Sequence, residues 1–110
     1  MPSLKERNRY VVFEVISDSK KFDGSSVFDA VHKAFKDLFG FIGLGGAGLM
    51  LLNWNKAKGK GILRVSHVWK DALKSSFLFV RKINNSPVLL RSIATSGTIK
   101  KAKSILAENS

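Results

Sequence analysis

The chain contains no cysteine. That excludes disulfides, thiolate metal sites and cysteine nucleophiles together. Acidic residues are scarce: eight Asp and Glu stand against nineteen Lys and Arg. None of the eight forms a close pair at ligand spacing. With only two histidines, His32 and His67, there is no triad or metal set to assemble. A self-contained nuclease is therefore disfavoured. Long apolar runs are missing too. The stretch from Leu38 to Leu52 is uncharged, but it is shorter than the roughly 20 residues that span a bilayer, and five glycines interrupt it. The N-terminus, Met-Pro-Ser-Leu-Lys-Glu-Arg-Asn-Arg, is polar and basic and has no apolar core of a signal peptide. These absences fit an intracellular, cytoplasmic protein that does not cross a membrane.

What is present is a core and an excess of positive charge. Hydrophobic residues make up 45% of the 110, enough for a single domain over residues 1–110. The net charge is +11 and the pI about 10.3. A compact domain so basic is drawn to polyanions, because neutralised phosphates release condensed counterions. Nucleic acid is the leading partner class and an anionic membrane surface the second.

Apolar periodicity predicts strands at Asn8 to Ser17, Leu49 to Trp54, Ile62 to Ser66 and Val88 to Thr95. It predicts helices at Ser25 to Phe39, Val68 to Lys82 and Thr98 to Ala107. Ser26 with Asp29 resembles a capping box, and Gly40 ends the first helix. Asn55 to Gly61 is a hairpin loop, and Asn84 to Pro87 a turn. The order is βαββαβ with an extra C-terminal helix. This is an α+β, ferredoxin-like (RRM-like) two-layer sandwich. Two helices cover one face, onto which Val11, Phe13, Val15, Leu63, Val65, Val88 and Leu90 point. Tyr10, Glu14, Arg64 and Arg91 lie on an opposite face, which is expected to be open and wettable.

Four basic segments are candidates for RNA contact. In the tail, Ser96-Gly97-Thr98 opens a helix that carries Lys100, Lys101 and Lys103. Hydroxyls and a glycine at a helix start leave N–H groups free to meet an anion. Lysines in a first turn are unfavourable beside the positive end of the helix dipole, so a negative partner is expected there. The other reading is a capped helix with a solvated lysine face. Lys56, Lys58 and Lys60 alternate with small residues in the hairpin loop, a flexible finger suited to phosphate. Lys5, Arg7 and Arg9 form a basic stretch leading into Tyr10, and residues 1–7 are expected to be a basic arm that folds on RNA. Arg64 and Arg91 sit on the open sheet face. The third strand has no aromatic residue, so shape and phosphate recognition fits better than base stacking. The letters Gly43-Leu-Gly45-Gly-Ala-Gly48 match a dinucleotide fingerprint, but they follow a helix and precede a strand, the wrong context. With Phe41, Ile42 and Leu44 beside it, this run is instead a candidate self-association patch.

With these segments in order, the chain resembles the archaeal ribonuclease P protein component 2 family, relatives of a eukaryotic RNase P/MRP subunit. Arg9-Tyr-Val-Val-Phe-Glu-Val15, Gly61-Ile-Leu-Arg-Val65 and above all Ser96-Gly-Thr-Ile-Lys-Lys-Ala102 carry the resemblance, which spans Arg7 to Leu106. The glycine run is richer than the family's pattern. The resemblance implies a ferredoxin-like fold and a non-catalytic, RNA-binding subunit of the ribonucleoprotein that removes 5′ leaders from precursor tRNA. It implies that the RNA subunit holds the catalytic Mg²⁺ and that the protein binds no cofactor. The implied partners are RNase P RNA, protein component 3 and a second copy of the chain within a heterotetramer, with precursor tRNA met indirectly. A generic ferredoxin-like RNA-binding or protein-interaction module of another ribonucleoprotein is the alternative.

Overall fold

The computed structural model describes residues 7–18 and 21–109. Strand β1 (Asn8–Ile16) lies inside a four-stranded antiparallel sheet. Its neighbours are β3 (Lys60–Ser66) on one side and β6 (Leu89–Ser96) on the other, and β2 (Met50–Asn55) forms an edge beyond β3. The strand order β2-β3-β1-β6 is the ferredoxin-like order. Register follows the apolar pattern. Val11 faces Leu63 across one ladder and Thr95 across the other. A bulge between Val12 and Phe13 shifts the β1–β6 pairing.

Helices α1 (Gly24–Ala47) and α2 (Lys70–Phe77) cover the expected face. Val11, Phe13, Val15, Leu63, Val65 and Leu90 are buried against Val27, Val31, Phe35, Leu73 and Phe77, and Val88 packs on the edge of this cluster. Phe13 lies between the rings of Trp54 and Phe77, at centroid separations of 5.8 and 5.7 Å. No helix among the described residues is long and apolar enough to cross a membrane.

The opposite sheet face is not open. Helix α3 (Ile99–Glu108) packs across it, burying Ala102 and Leu106 on Val12 and Ile62. Tyr10, Ile93, Ile99 and Ile105 pack around that contact. The cause is in the strands: Val12 and Ile62 are apolar on the face read as wettable, and they need a cover. The sheet is thus enclosed between α1 with α2 on one side and α3 on the other.

Two helix boundaries also differ from the sequence expectation. Gly40 kinks α1 without ending it; its φ of 73° and ψ of −176° leave the helical region, and the helix resumes through the glycine run. The end comes at Gly48, in the left-handed conformation. What holds the second half is Trp69. Its indole contacts the rings of Phe35 and Phe39 and lies over Gly43 and Gly46. The capping box does not form: Asp23 is the N-cap and makes no side-chain cap, while Ser26 accepts from Asn84. The second helix is shorter than expected. A 3₁₀ turn over His67–Trp69 precedes it, and β4 (Lys82–Ile83) and β5 (Ser86–Pro87) form a small hairpin after it. Asn84 and Asn85 both have positive φ, the conformation a two-residue hairpin turn needs.

Candidate nucleic-acid interface

The antiparallel register brings three separated sequence segments to one end of the sheet. Asn8 pairs with Ser66 and Tyr10 with Ser96. The start of β1, the end of β3 and the end of β6 are therefore neighbours. The His67 amide donates to the Arg7 carbonyl at 2.7 Å, which ties the basic arm to the turn after β3. A β-carbon at Gly97 would stand 4.0 Å from a guanidinium nitrogen of Arg9. Arg7, Arg9 and Ser96-Gly97-Thr98 thus form one surface. The remainder of the arm, with Lys5, lies outside the described residues.

The turn into α3 is fixed by its own hydroxyls. Ser96 is buried; its hydroxyl accepts from the Thr98 amide at 3.2 Å and donates to the Thr98 carbonyl at 3.0 Å. Thr98 caps the helix by accepting from the Lys101 amide at 3.2 Å. The amides of Ile99 and Lys100 remain outside the helical ladder. No acidic side chain occupies the first turn. Lys100, Lys101 and Lys103 are all exposed.

His67 and Lys70 join this end; sequence reasoning weighed His67 only for a triad or metal set and passed over Lys70. Lys70 lowers the His67 pKa below the usual histidine value; partial burial, Arg9 and Arg7 act in the same direction, and Asp71 opposes them. The site is positive enough to resist a further proton. The His67 Nδ1 is buried without a hydrogen-bond partner. Only the pairing of Asn8 with Ser66 reveals that a histidine far from the arm in sequence meets it in space.

From this end α3 runs along the sheet to the other. The carbonyl of Asn109, just past its C-terminus, accepts from the Lys60 ammonium. Ten residues of helix cover about 15 Å. Lys100, Lys101 and Lys103 on the outer side of α3 bridge the Arg9 end and the hairpin end. The structure therefore arranges three of the four basic segments, the arm, the α3 lysines and the hairpin, as one stripe, with α3 as its middle.

The hairpin loop between β2 and β3 is not a flexible finger. Gly59 accepts from the Val15 amide at 2.7 Å and donates to the Asn55 carbonyl at 2.8 Å, and Asn55 also accepts from the Lys58 amide. Gly59 has φ of +66°, and a β-carbon there would stand 2.9 Å from the Val15 carbonyl oxygen. Lys56 is paired with Asp23 at 2.9 Å and Arg91 with Glu14 at 2.6 Å. Tyr10 and Arg64 are half-buried under α3, so neither is offered on an open sheet. The Arg64 Nε is buried without a partner. Among the described residues, no group of three or more His, Asp or Glu could hold a metal ion.

Residues 9–107 match the model of the Rpp14/Pop5 family. This chain belongs to that family. Among its Rpp14/Pop5 relatives is ribonuclease P protein component 2 of Thermococcus kodakarensis, 32% identical over 102 residues, which cover 93% of this chain and 84% of the relative. The protein of the same name from Saccharolobus solfataricus is 32% identical over 98 residues, covering 89% and 68%. In fold, the chain is similar to a chain in the structure of yeast ribonuclease MRP, with a TM-score of 0.70 at 18% identity, over 99% of this chain and 95% of that one. Both Ser96-Gly97-Thr98 and the basic arm from Arg9 lie within the matched span.

Proposed function

We propose that this protein is the RNA-binding, non-catalytic component 2 subunit of ribonuclease P. The observation that carries the reading is the stripe that runs from Arg7, Arg9 and His67 through the α3 lysines to the hairpin, on a chain of the Rpp14/Pop5 family. Its cations neutralise phosphates where RNA helices crowd together, which lowers the Mg²⁺ needed to fold the catalytic RNA. The chemistry of removing the 5′ leader from precursor tRNA belongs to the RNA and its Mg²⁺. The protein supplies no cofactor and no acid–base pair.

Its protein partners are ribonuclease P protein component 3 and a second copy of this chain, within a heterotetramer that works in the cytoplasm. The helix layer supplies a surface for them. Phe41 and Ile42, on the half of α1 beyond the kink, are 78% and 91% exposed, and Val68 in the 3₁₀ turn is 79% exposed. Apolar groups so exposed suit protein contact. Phe41 and Ile42 lie in the α1–α2 layer, across the sheet from the α3 lysines, so protein partners meet that face, while Val68 borders the His67 end of the stripe. Leu44, by contrast, packs inward.

The test is cleavage of precursor tRNA by material captured on the tagged chain. Processing at the mature 5′ end that disappears after micrococcal nuclease supports the reading. RNA-laden captured material without cleavage refutes the ribonuclease P role.

A further inference from the structure

A cleft of about 330 Å³ opens at the hairpin end, between the last residues of β1, the segment before α1 and the β2–β3 loop. This volume falls at the lower end of the range for small-ligand sites. The half-buried Trp54 gives it an apolar spot, with the buried Val15 and Phe22 behind it, and Lys21, Lys56 and Lys58 rim it. The charges do not cancel. Glu14 on its wall is held by Arg91, and Asp23 is held by Lys56. Lys21 donates to the Ala57 carbonyl at 3.1 Å, a neutral partner, and the Lys58 ammonium meets no carboxylate among the described residues. Two cations are left in surplus beside an apolar wall.

Two walls of the cleft are braced. The Trp54 indole N–H donates to the Phe22 carbonyl at 2.8 Å, and Phe13 packs against the ring. The hairpin wall is locked to β1 through Gly59 and Val15. A preformed site avoids the ordering cost of closing on its ligand.

We infer that this cleft takes one unpaired nucleotide of an RNA strand, its phosphate between Lys21 and Lys58 and its base against the exposed part of Trp54. The combination of ammonium rim and apolar wall matches the two halves of a nucleotide; a bare anion would use only the rim. Arg9 and the cleft are some six residues apart along β1, about 20 Å. The site is therefore separate from the phosphate contacts at the start of α3. This inference rests on the RNA-binding reading above.

Nuclear magnetic resonance of the full chain tests it with three probes: pentauridylate, a blunt RNA duplex and inorganic phosphate. Pentauridylate is expected to shift the Trp54 indole resonance and the Lys58 and Gly59 amides. Lys58→Glu, whose side chain holds no part of the fold, combined with Lys21→Gln weakens that binding about tenfold. Duplex binding without pentauridylate shifts in the cleft overturns the inference alone. So does inorganic phosphate that reproduces the Trp54 shift at equal concentration. Failure of the wild-type chain to bind either RNA overturns the RNA-binding reading and this inference with it.

Discussion

Trp69 and Gly46 are matched in shape: a β-carbon at Gly46 would stand 2.9 Å from the indole Nε1. Gly43 is as constrained, 2.8 Å from the Phe39 β-carbon and 3.0 Å from the indole edge. Gly45, one position away from Gly46, faces open space. The glycine run therefore separates residues that seat an aromatic ring from one that does not.

Gly46→Ala is expected to destabilise the fold by about 1–3 kcal/mol, because overpacking exceeds the gain in helix propensity. Gly45→Ala is expected to stabilise it by about 0.5–1 kcal/mol. Urea unfolding of the two variants checks the pair. Equal effects would show that Trp69 does not lie on this helix.

The α3 cover is expected to depend on its cap and its anchor. Thr98→Ala removes the acceptor for the Lys101 amide and should cost about 1 kcal/mol. Leu106→Ala, which empties a buried contact with the sheet, should cost about 2–4 kcal/mol. Hydrogen exchange of the α3 amides, measured beside global stability, shows whether the helix is released before the sheet unfolds.

His67 gives the protein a predicted pH response. Lys70, partial burial, Arg9 and Arg7 hold its pKa below the usual histidine value, against the pull of Asp71. The folded state thus binds fewer protons than the unfolded chain as pH falls below about 6.5. Stability from this group is complete above that pH and declines below it. RNA phosphates reverse the local field, so binding raises the pKa and takes up a proton. Affinity is expected to rise as pH falls from 7.5 to 6, and His67→Gln should flatten the profile. A flat wild-type profile would remove His67 from the interface.

Most of the sheet was legible because β1 and β3 alternate cleanly on the face that meets α1 and α2. Val11, Phe13, Leu63 and Val65 all point as their spacing requires. The second cover was legible in principle from Val12 and Ile62, but each sits beside apolar neighbours, Val11 and Phe13 or Leu63, whose opposite orientation dominates the pattern. The persistence of α1 past Gly40 was not legible. Glycine weakens a helix in isolation, and only the docking of Trp69, twenty-three residues beyond Gly46, reverses that preference. The candidate RNA segments were visible one by one as basic runs. Their union was not, because it depends on antiparallel register bringing Arg7 to His67 and on α3 crossing the sheet to Lys60. Lys21, beside Lys20, and Lys70 belong to no longer basic run and acquire meaning only from their neighbours in space.

The salt dependence of RNA affinity, measured for the wild type and for Lys100→Glu with Lys101→Glu, tests the central claim most directly. The account predicts a steep fall of log affinity with log salt for the wild type. The double variant should keep its fold and bind more weakly, with a slope shallower by about 1.4–1.8, the share of two lost phosphate contacts. Identical slopes and affinities in the two proteins would contradict the account and take the RNA away from α3.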